Sequence, residues 1–186
     1  MALKHLTSSV FVFRRFTDGW RTGLIRHPRL HKMMIPGGHV EPEETSAEAA
    51  LREVAEETGL AVTLVSPPAA PVPRGYRGRR VALPWWIAEY QVKPDNHLDV
   101  AHVHVDHLYV ALADGTPPAA GAGPPGAAHP FGWYAAGDLP GLDMFDDARL
   151  LARLLLTGLA GAADAADGTD ATKAAEALVA GLLGHG

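Results

Sequence analysis

Apolar residues recur along the chain with two different periods, which together predict an alternation of strands and helices. Residues 5–14 include Val10, Phe11, Val12 and Phe13 in one continuous β-favouring run. Such a run is typical of a strand that is buried on both faces. Further strands are predicted at residues 20–27, 32–35 and 60–65, within 81–92, and at 100–113 and 131–135.

Two segments have the 3.6-residue period of amphipathic helices. Thr45 and Glu48 stand at capping-box spacing, so we expect the first helix to begin at Thr45 or Ser46. Gly59 is placed to end that helix as a left-handed cap. A second helix is predicted at residues 138–158. The predicted core face of the first helix consists of Ala47, Ala50, Leu51 and Val54, and that of the second of Leu150, Leu151, Leu154 and Leu155.

The last part of the chain differs in composition from the rest. Residues 1–157 contain all the elements above and are predicted to form one domain, whereas residues 158–186 are predicted to be a linker and an Ala-rich helix at 170–183. A lone helix of this length is marginal in water. It therefore needs to pack on the domain or on a second subunit, and a homodimer is one expectation. The Pro- and Gly-rich segments 66–80 and 116–128 are predicted to be exposed loops.

Charge and cysteine content narrow the classes of function. The 186 residues carry a net charge of −5, which gives no broad basic surface for nucleic acid. No run reaches the roughly 18 apolar residues of a membrane span. The chain has no cysteine, which excludes thiolate metal sites and cysteine nucleophiles and is consistent with a reducing compartment. We therefore expect a cytoplasmic protein without a nucleic-acid or membrane partner.

Three glutamates are crowded near the end of the first predicted helix. Glu53, Glu56 and Glu57 stand at positions i, i+3 and i+4, which share one helix face. Their charges repel each other, and the helix dipole disfavours them in the last turn. A bound cation would relieve both penalties. Carboxylate and carbonyl oxygens are the ligands that Mg²⁺ and Mn²⁺ prefer, and Arg52 can hold a carboxylate in place.

The full spacing of these residues is more specific than the acidic triad. Gly38 is followed after five residues by Glu44, and after seven more by Arg52-Glu53-Val54-x-Glu56-Glu57-x-Gly59-Leu60. This pattern resembles the signature of the Nudix hydrolases at every defined position. The resemblance implies an α/β (α+β) fold in which a mixed sheet lies between helices, here with an extra C-terminal helix. It also implies hydrolysis of a nucleoside diphosphate that is linked to another group.

The resemblance also implies roles for individual residues. The glutamates Glu56 and Glu57 and the Gly38 carbonyl would ligate Mg²⁺, for which Mn²⁺ can substitute. Glu53 would ligate metal or act as the catalytic base, although some relatives carry the base in a later loop. Arg52 would pair with Glu44. Two alternatives stay open: a solvated acidic helix without a function, and a Nudix domain that binds or senses a nucleotide without hydrolysing it.

Other residues are weaker candidates. On the strand at 100–113, His102, His104 and Asp106 share a face. Three interpretations stay open: a metal site, the border of the substrate cleft, or histidines that are hydrogen-bonded structural groups. Trp85 and Trp86 are adjacent, so in a strand we expect one to point outward, where it could stack on a base. Glu89 and Asp106 are candidates for late metal ligands. The predicted substrate contacts are His39, Arg74, Tyr76, Arg77, Trp86, His104 and Asp106.

The absence of cysteine also limits the choice of substrate. It argues against the Nudix isopentenyl-diphosphate isomerases, which use a catalytic cysteine, and against NADH pyrophosphatases with a four-cysteine zinc site. The substrates that remain are ADP-ribose and other nucleotide sugars, modified nucleoside triphosphates and dinucleoside polyphosphates.

Overall fold

The computed structural model describes residues 3–95, 98–113, 128–161 and 171–183. In this part of the chain, eight strands form one mixed sheet and three α-helices pack on it. The strands are β1 Lys4–Phe16, β2 Gly19–Arg26, β3 Met33–Met34, β4 Gly37–His39, β5 Val62–Val65, β6 Trp86–Val92, β7 His102–Ala113 and β8 Phe131–Tyr134. The helices are α1 Ser46–Thr58, α2 Asp146–Gly161 and α3 Ala171–Leu183, with a short 3₁₀ turn at Leu139–Gly141.

Two long parallel strands form the centre of the sheet. β1 and β7 pair from Lys4 opposite Val103 to Phe13 opposite Leu112. Along the first half of this pair, β4 lies on the outer edge of β1 and β6 lies on the outer edge of β7, both antiparallel. Along the second half, β2 and β5 take these places. The sheet therefore has one end bounded by β4 and β6, and that end carries the site described below.

The two faces of the sheet are covered by different helices. Val10 and Val12 of β1 are fully buried against α1, where they contact Ala50 and Val54. The alternate residues Phe11 and Phe13 are fully buried on the opposite face. There they belong to the core that contains Leu155 of α2 and Leu178 of α3. The prediction that the first strand is buried on both faces is confirmed, and the sheet lies between helices as expected.

The C-terminal helix α3 packs on its own chain. Leu178 is fully buried, and a Cβ atom placed on Gly181 would lie only 2.6 Å from the Cα atom of Gly158 in α2. The two glycines therefore let the backbones of α2 and α3 approach closely. The predicted division at residue 157 stays a prediction, although α2 continues past it to Gly161. Most of the predicted 116–128 loop and of the linker lies outside the described residues.

Some boundaries and faces differ from the sequence-based expectation. The chain does not enter a long helix at residue 138. Pro140 lies in the 3₁₀ turn, and the chain then becomes extended at Leu142 before α2 begins. The segment after the turn is held in extended form by β3, because the Met33 amide donates to the Asp143 carbonyl at 2.8 Å and Met144 forms a parallel bridge with Met33. In α1, Leu51 is 40% exposed, while Ala49 is fully buried, so the predicted core face was wrong at Leu51.

A similar shift occurs in α2. Leu150 is 68% exposed, and the buried face consists of Ala152, Leu155, Leu156, Gly158 and Leu159. Of the predicted stripe, Leu155 is fully buried and Leu151 packs against the same core, so the prediction was wrong at Leu150. None of the helices that the structure describes is long and apolar enough to span a membrane.

Candidate functional site

Helix α1 is fixed at both ends by local hydrogen bonds. At its start, the Thr45 hydroxyl accepts from the Glu48 amide, and the Glu48 carboxylate accepts from the Thr45 amide, which is the predicted capping box. At its end, Gly59 adopts φ 69° and donates its N–H to the Ala55 carbonyl. These caps set the rotation of the helix, and Glu53, Glu56 and Glu57 fall in its last two turns.

Strand β4 lies directly beside these glutamates. Gly37 and Gly38 pair with Ser9 and Ser8 of β1. The Gly37 amide donates to Glu57 Oε2 at 2.9 Å, and a Cβ atom on Gly38 would overlap the carboxylate of Glu53. Both glycines have negative φ, so they are needed here for close approach and not for an unusual backbone angle. The short strand β4 was not predicted from the sequence.

Arg52 is the centre of an ion-pair network on α1. Its guanidinium donates to Glu44 through two nitrogens, at 2.7 and 3.2 Å, and to Glu53 at 2.8 Å. It also donates to Glu56 at 3.2 Å and to the His39 carbonyl at 3.0 Å. The hydrogen bonds from Arg52 lower the pKa of the Glu44 carboxyl below its usual value. Arg52 therefore holds the Glu53 carboxylate in one orientation and ties α1 to β4.

Glu57 has the most unusual environment of the three glutamates. Its side chain is 13% exposed, and burial raises its pKa to about 7, an effect to which the neighbouring Glu53 and Glu56 charges add. The amide of Gly37 acts in the opposite direction and favours the charged form. A cation placed among these carboxylates would remove both the repulsion and much of the desolvation penalty. The residues present therefore fit a divalent metal ion with oxygen ligands.

A segment far along the sequence covers the end of α1. The amides of Ala128 and His129 donate to the carbonyls of Glu56 and Glu57, at 3.2 and 3.3 Å. The Nε2 atom of His129 lies 3.4 Å from Glu57 Oε1. Sequence reasoning missed His129, because nothing local to it indicates that it returns to α1.

Three hydrogen-bonded polar side chains, Thr7, Ser9 and Asp106, lie at the β4–β6 end of the sheet, and we call this group the polar floor. Asp106 of β7 is 7% exposed and accepts hydrogen bonds from Thr7 at 3.0 Å and Ser9 at 2.8 Å. Burial raises the pKa of Asp106 above its usual value. By strand alternation this floor is on the face of Phe11, opposite to α1. Asp106 is thus buried in the sheet, where both of its carboxylate oxygens accept hydrogen bonds.

Two histidines of β7, His102 and His104, have different neighbours from those expected. His102 and His104 come together with His39 of β4 and with Asp95, which lies in the connection between β6 and β7. Asp106 is directed to Thr7 and Ser9 instead. Any metal site here would therefore not be the predicted set of His102, His104 and Asp106. Asp95 was missed, since it lies outside the strand pattern.

The remaining predicted contacts lie further out. Arg74, Tyr76 and Arg77 are exposed, in the segment before β6. Trp85 and Trp86 are both partly buried against the α2 side of the core, so the expectation that one points outward was wrong. Trp85 precedes the strand, and its indole N–H donates to the Val65 carbonyl at 2.6 Å. Glu89 forms an exposed ion pair with Lys4.

The two glycines of β4 give a paired prediction. Gly37→Ala should lower the free energy of unfolding by about 1–3 kcal/mol, the usual cost of overpacking. Its Cβ atom would lie 2.5 Å from the Ser8 carbonyl oxygen and 2.8 Å from Ser9 Cα, which are backbone atoms that cannot rotate away. Gly38→Ala should cost less stability, because its Cβ meets only the end of the Glu53 side chain.

The measurement is urea denaturation of both variants, together with their turnover. Gly38→Ala should lose much of its turnover while it loses little stability, because the new methyl group displaces the Glu53 carboxylate. Equal stability losses in the two variants would show that the packing around β4 is described incorrectly.

Comparison with known proteins places this site in a family. The NUDIX domain matches residues 4–154. A search among curated proteins found no significant match to the sequence. Among solved structures, the chain is similar to a Nudix-family hydrolase from Clostridium perfringens, with 25% identity, a TM-score of 0.60, and coverage of 80% of this chain and 93% of that one.

Two further structures share the fold at lower identity. The dihydroneopterin triphosphate pyrophosphohydrolase of E. coli has 15% identity and a TM-score of 0.55, over 83% of this chain and 97% of that one. The NUDIX domain of Shewanella oneidensis NrtR, solved with ADP ribose, has 17% identity and a TM-score of 0.51, over 82% and 86% of the two chains. Since the NUDIX domain spans most of the chain and the structure places its signature residues together on α1 and β4, this protein belongs to the Nudix hydrolase family.

Proposed function

We propose that this protein hydrolyses the diphosphate linkage of a nucleoside diphosphate derivative and depends on Mg²⁺, for which Mn²⁺ can substitute. The observation that carries the proposal is the environment of Glu57. A carboxylate that is only 13% exposed faces two further glutamates across the end of α1, beside the glycine backbone of β4. This concentration of negative charge suits a divalent cation and the phosphate oxygens that it attracts.

Four groups would hold the ion: the carboxylates of Glu53, Glu56 and Glu57 and the carbonyl of Gly38. A bound divalent ion would neutralise the charge of the diphosphate and orient its phosphorus atom. The side-chain exposure of these glutamates suits two tasks. Glu56 is 60% exposed and can reach outward, whereas Glu53 and Glu57 are each 13% exposed and are held in fixed positions.

Glu53 is our candidate for the base. In the proposed reaction a water oxygen attacks phosphorus, the bond between phosphorus and the bridging oxygen breaks, and the water proton passes to the Glu53 carboxylate. Arg52 holds Glu53 at 2.8 Å and is itself held by Glu44, so it positions the base and does not touch the substrate. General base catalysis of this kind is worth about 10²–10⁴-fold in rate.

The substrate is proposed as a class. The structurally similar proteins named above include one that acts on dihydroneopterin triphosphate and one solved with ADP ribose, both of which are phosphorylated heterocycles. We propose ADP-ribose, a nucleotide sugar or a modified nucleoside triphosphate for this chain. Trp86 is proposed to border the base, and the exposed Arg74, Tyr76 and Arg77 to contact phosphate or base.

A nucleotide-binding domain without turnover is the second candidate. The bound ADP ribose in the NrtR domain shows that this fold can be solved with an intact ligand. A panel of nucleoside diphosphate derivatives, assayed for both phosphorylated products and binding, separates the two. Mg²⁺-dependent cleavage of at least one compound supports the enzyme, whereas tight binding of one compound without cleavage of any supports the sensor. A cytoplasmic location and a homodimer stay predictions.

Metal removal gives a direct prediction. EDTA should abolish hydrolysis because it removes the divalent ion that the proposed reaction requires. Excess Mg²⁺ or Mn²⁺ should restore it, because the glutamates on the acidic face of α1 offer the oxygen ligands that these ions prefer. The measurement is the initial rate before EDTA, after EDTA and after metal addition. A rate that survives EDTA would contradict the proposed reaction.

A further inference from the structure

A cluster of three histidines and one aspartate lies at the β4–β6 end of the sheet, on the face opposite to α1. It consists of His39, Asp95, His102 and His104, whose nearest ring nitrogens and carboxylate oxygens all lie within 4.8 Å of one another. His102 is fully buried, and the side chains of Asp95 and His104 are 11% and 20% exposed. The carboxylates of the proposed magnesium site are not part of this cluster.

The distances within the cluster match those between the ligands of one metal ion. The Nε2 atoms of His102 and His104 are 3.1 Å apart, and they lie 3.4 and 3.6 Å from Asp95 Oδ2. Zinc binds imidazole nitrogen and carboxylate oxygen at about 2.0–2.2 Å, so tetrahedral ligand atoms are about 3.3–3.6 Å apart. Both distances to Asp95 lie in this range, whereas the two nitrogens are slightly closer together, at a hydrogen-bonding distance. By contrast, 3.4 and 3.6 Å are too long for good hydrogen bonds from nitrogen to a carboxylate.

Neighbouring backbone groups orient the ligand atoms toward a common point. The Nδ1 atom of His102 lies 2.9 Å from the Val100 carbonyl oxygen. Because a carbonyl can only accept, this nitrogen carries the proton, and in the neutral ring Nε2 holds a lone pair. Asp95 is oriented in the same way, since its Oδ1 accepts from the Leu98 amide while Oδ2 faces the histidines. Such outer contacts are typical of metal-binding histidines and carboxylates.

The fourth member and an access route are also present. His39 lies edge-on to His104, with ring centroids 4.8 Å apart, and completes a set of three nitrogens and one oxygen. It also lines a groove of about 380 Å³ together with His5 and Glu41, and solvent reaches the cluster at His104, whose side chain is 20% exposed. Imidazole-rich sets of this kind prefer zinc-type ions, whereas Mg²⁺ prefers oxygen ligands.

We propose that His39, Asp95, His102 and His104 form a second metal site, which binds one Zn²⁺ or a similar transition-metal ion. The ion joins β4, β7 and the connection between β6 and β7. It therefore fixes the strand that carries Gly38 from the side opposite to the glutamates. In this arrangement His39 and His104 are metal ligands and do not contact the substrate directly.

The test uses the full chain, stripped of metal and then titrated with Zn²⁺ or Co²⁺ in excess Mg²⁺, which competes for the carboxylates of α1. We expect one Zn²⁺ per chain by elemental analysis, and an intense visible Co²⁺ spectrum of the tetrahedral type. Asp95→Asn and His104→Gln should each weaken Zn²⁺ binding at least about 100-fold. Even a residue that only hydrogen-bonds to a metal ligand contributes about 10–100-fold to metal affinity. Both side chains are partly exposed, so these variants should fold better than one at the buried His102.

Two control variants separate this site from other metal ligands. His31→Asn removes an exposed histidine elsewhere, at a residue with φ 56° that asparagine tolerates, and should leave Zn²⁺ binding unchanged. Glu56→Gln should also leave it unchanged, because Glu56 belongs to the other site. The proposal is overturned if Zn²⁺ does not bind stoichiometrically, if Asp95→Asn and His104→Gln bind it as tightly as the natural chain, or if Glu56→Gln removes the tetrahedral spectrum.

Discussion

Glu57→Gln should reduce kcat at least about 100-fold while the metal-free protein becomes no less stable. The loss follows from the removal of one charged oxygen ligand. Replacing a residue that only hydrogen-bonds to a metal ligand already lowers activity about 10–100-fold, so losing the ligand itself should cost at least as much. The stability result has a separate cause. Burial and the charges of Glu53 and Glu56 disfavour the ionised Glu57, and a neutral amide avoids both while still accepting from the Gly37 amide.

The matched control for this variant is Glu43→Gln. Glu43 is an exposed glutamate in the loop before Glu44, so its replacement makes the same chemical change away from the acidic face. Turnover and urea denaturation of both variants are the measurements.

Glu53→Gln should lose about 10²–10⁴-fold in kcat if Glu53 is the base. Full activity in both Glu53→Gln and Glu57→Gln would remove the basis for the proposed reaction.

Arg52→Ala should clearly destabilise the protein. The variant leaves the Glu44 and Glu53 carboxylates, 14% and 13% exposed, without the guanidinium that holds them. Removing one partner of a fully buried pair costs about 3–5 kcal/mol, and partial exposure of Arg52 reduces this to about 1–3 kcal/mol. Arg52→Lys should recover only part of the loss, because one ammonium cannot make the two-pronged contact with Glu44.

The chain offers a comparison pair for Arg52. Arg79 contacts Glu48 of α1 at 3.1 Å, but both side chains are largely exposed. Arg79→Ala should therefore change the free energy of unfolding little. Urea denaturation of the three variants gives the ranking. If Arg52→Ala is no more destabilising than Arg79→Ala, the network around Arg52 contributes no more than a surface ion pair.

The features of the site that sequence reasoning predicted are those set by short-range chemistry. Thr45 and Glu48 cap each other across three residues, and Gly59 ends the helix two residues after Glu57, so α1 and its acidic face could be placed without the fold. The Arg52–Glu44 pair followed from a family pattern with fixed spacing. The continuous apolar run of β1 predicted burial on both faces, and the structure confirms it.

The features that were missed depend on contacts between distant segments. His129 reaches Glu57 from more than seventy positions away, and Asp95 reaches His102 and His104 from a connection without a periodic pattern. No local signal marks either residue. Leu51 was assigned to the core by period alone, but the position of α1 on the sheet leaves it at the edge. Periodicity gives the face of a helix, whereas packing decides how wide the buried face is.

The central claim is that the acidic face of α1 holds the metal ion, and Mn²⁺ binding tests it most directly. The electron paramagnetic resonance signal of free Mn²⁺ is followed as the ion is added to the natural chain, Glu57→Gln and Glu43→Gln, each first given one equivalent of Zn²⁺ to fill the histidine cluster. We predict that the natural chain and Glu43→Gln bind Mn²⁺ with equal affinity and that Glu57→Gln binds it at least about 100-fold more weakly. Equal Mn²⁺ affinity in all three proteins would contradict the claim.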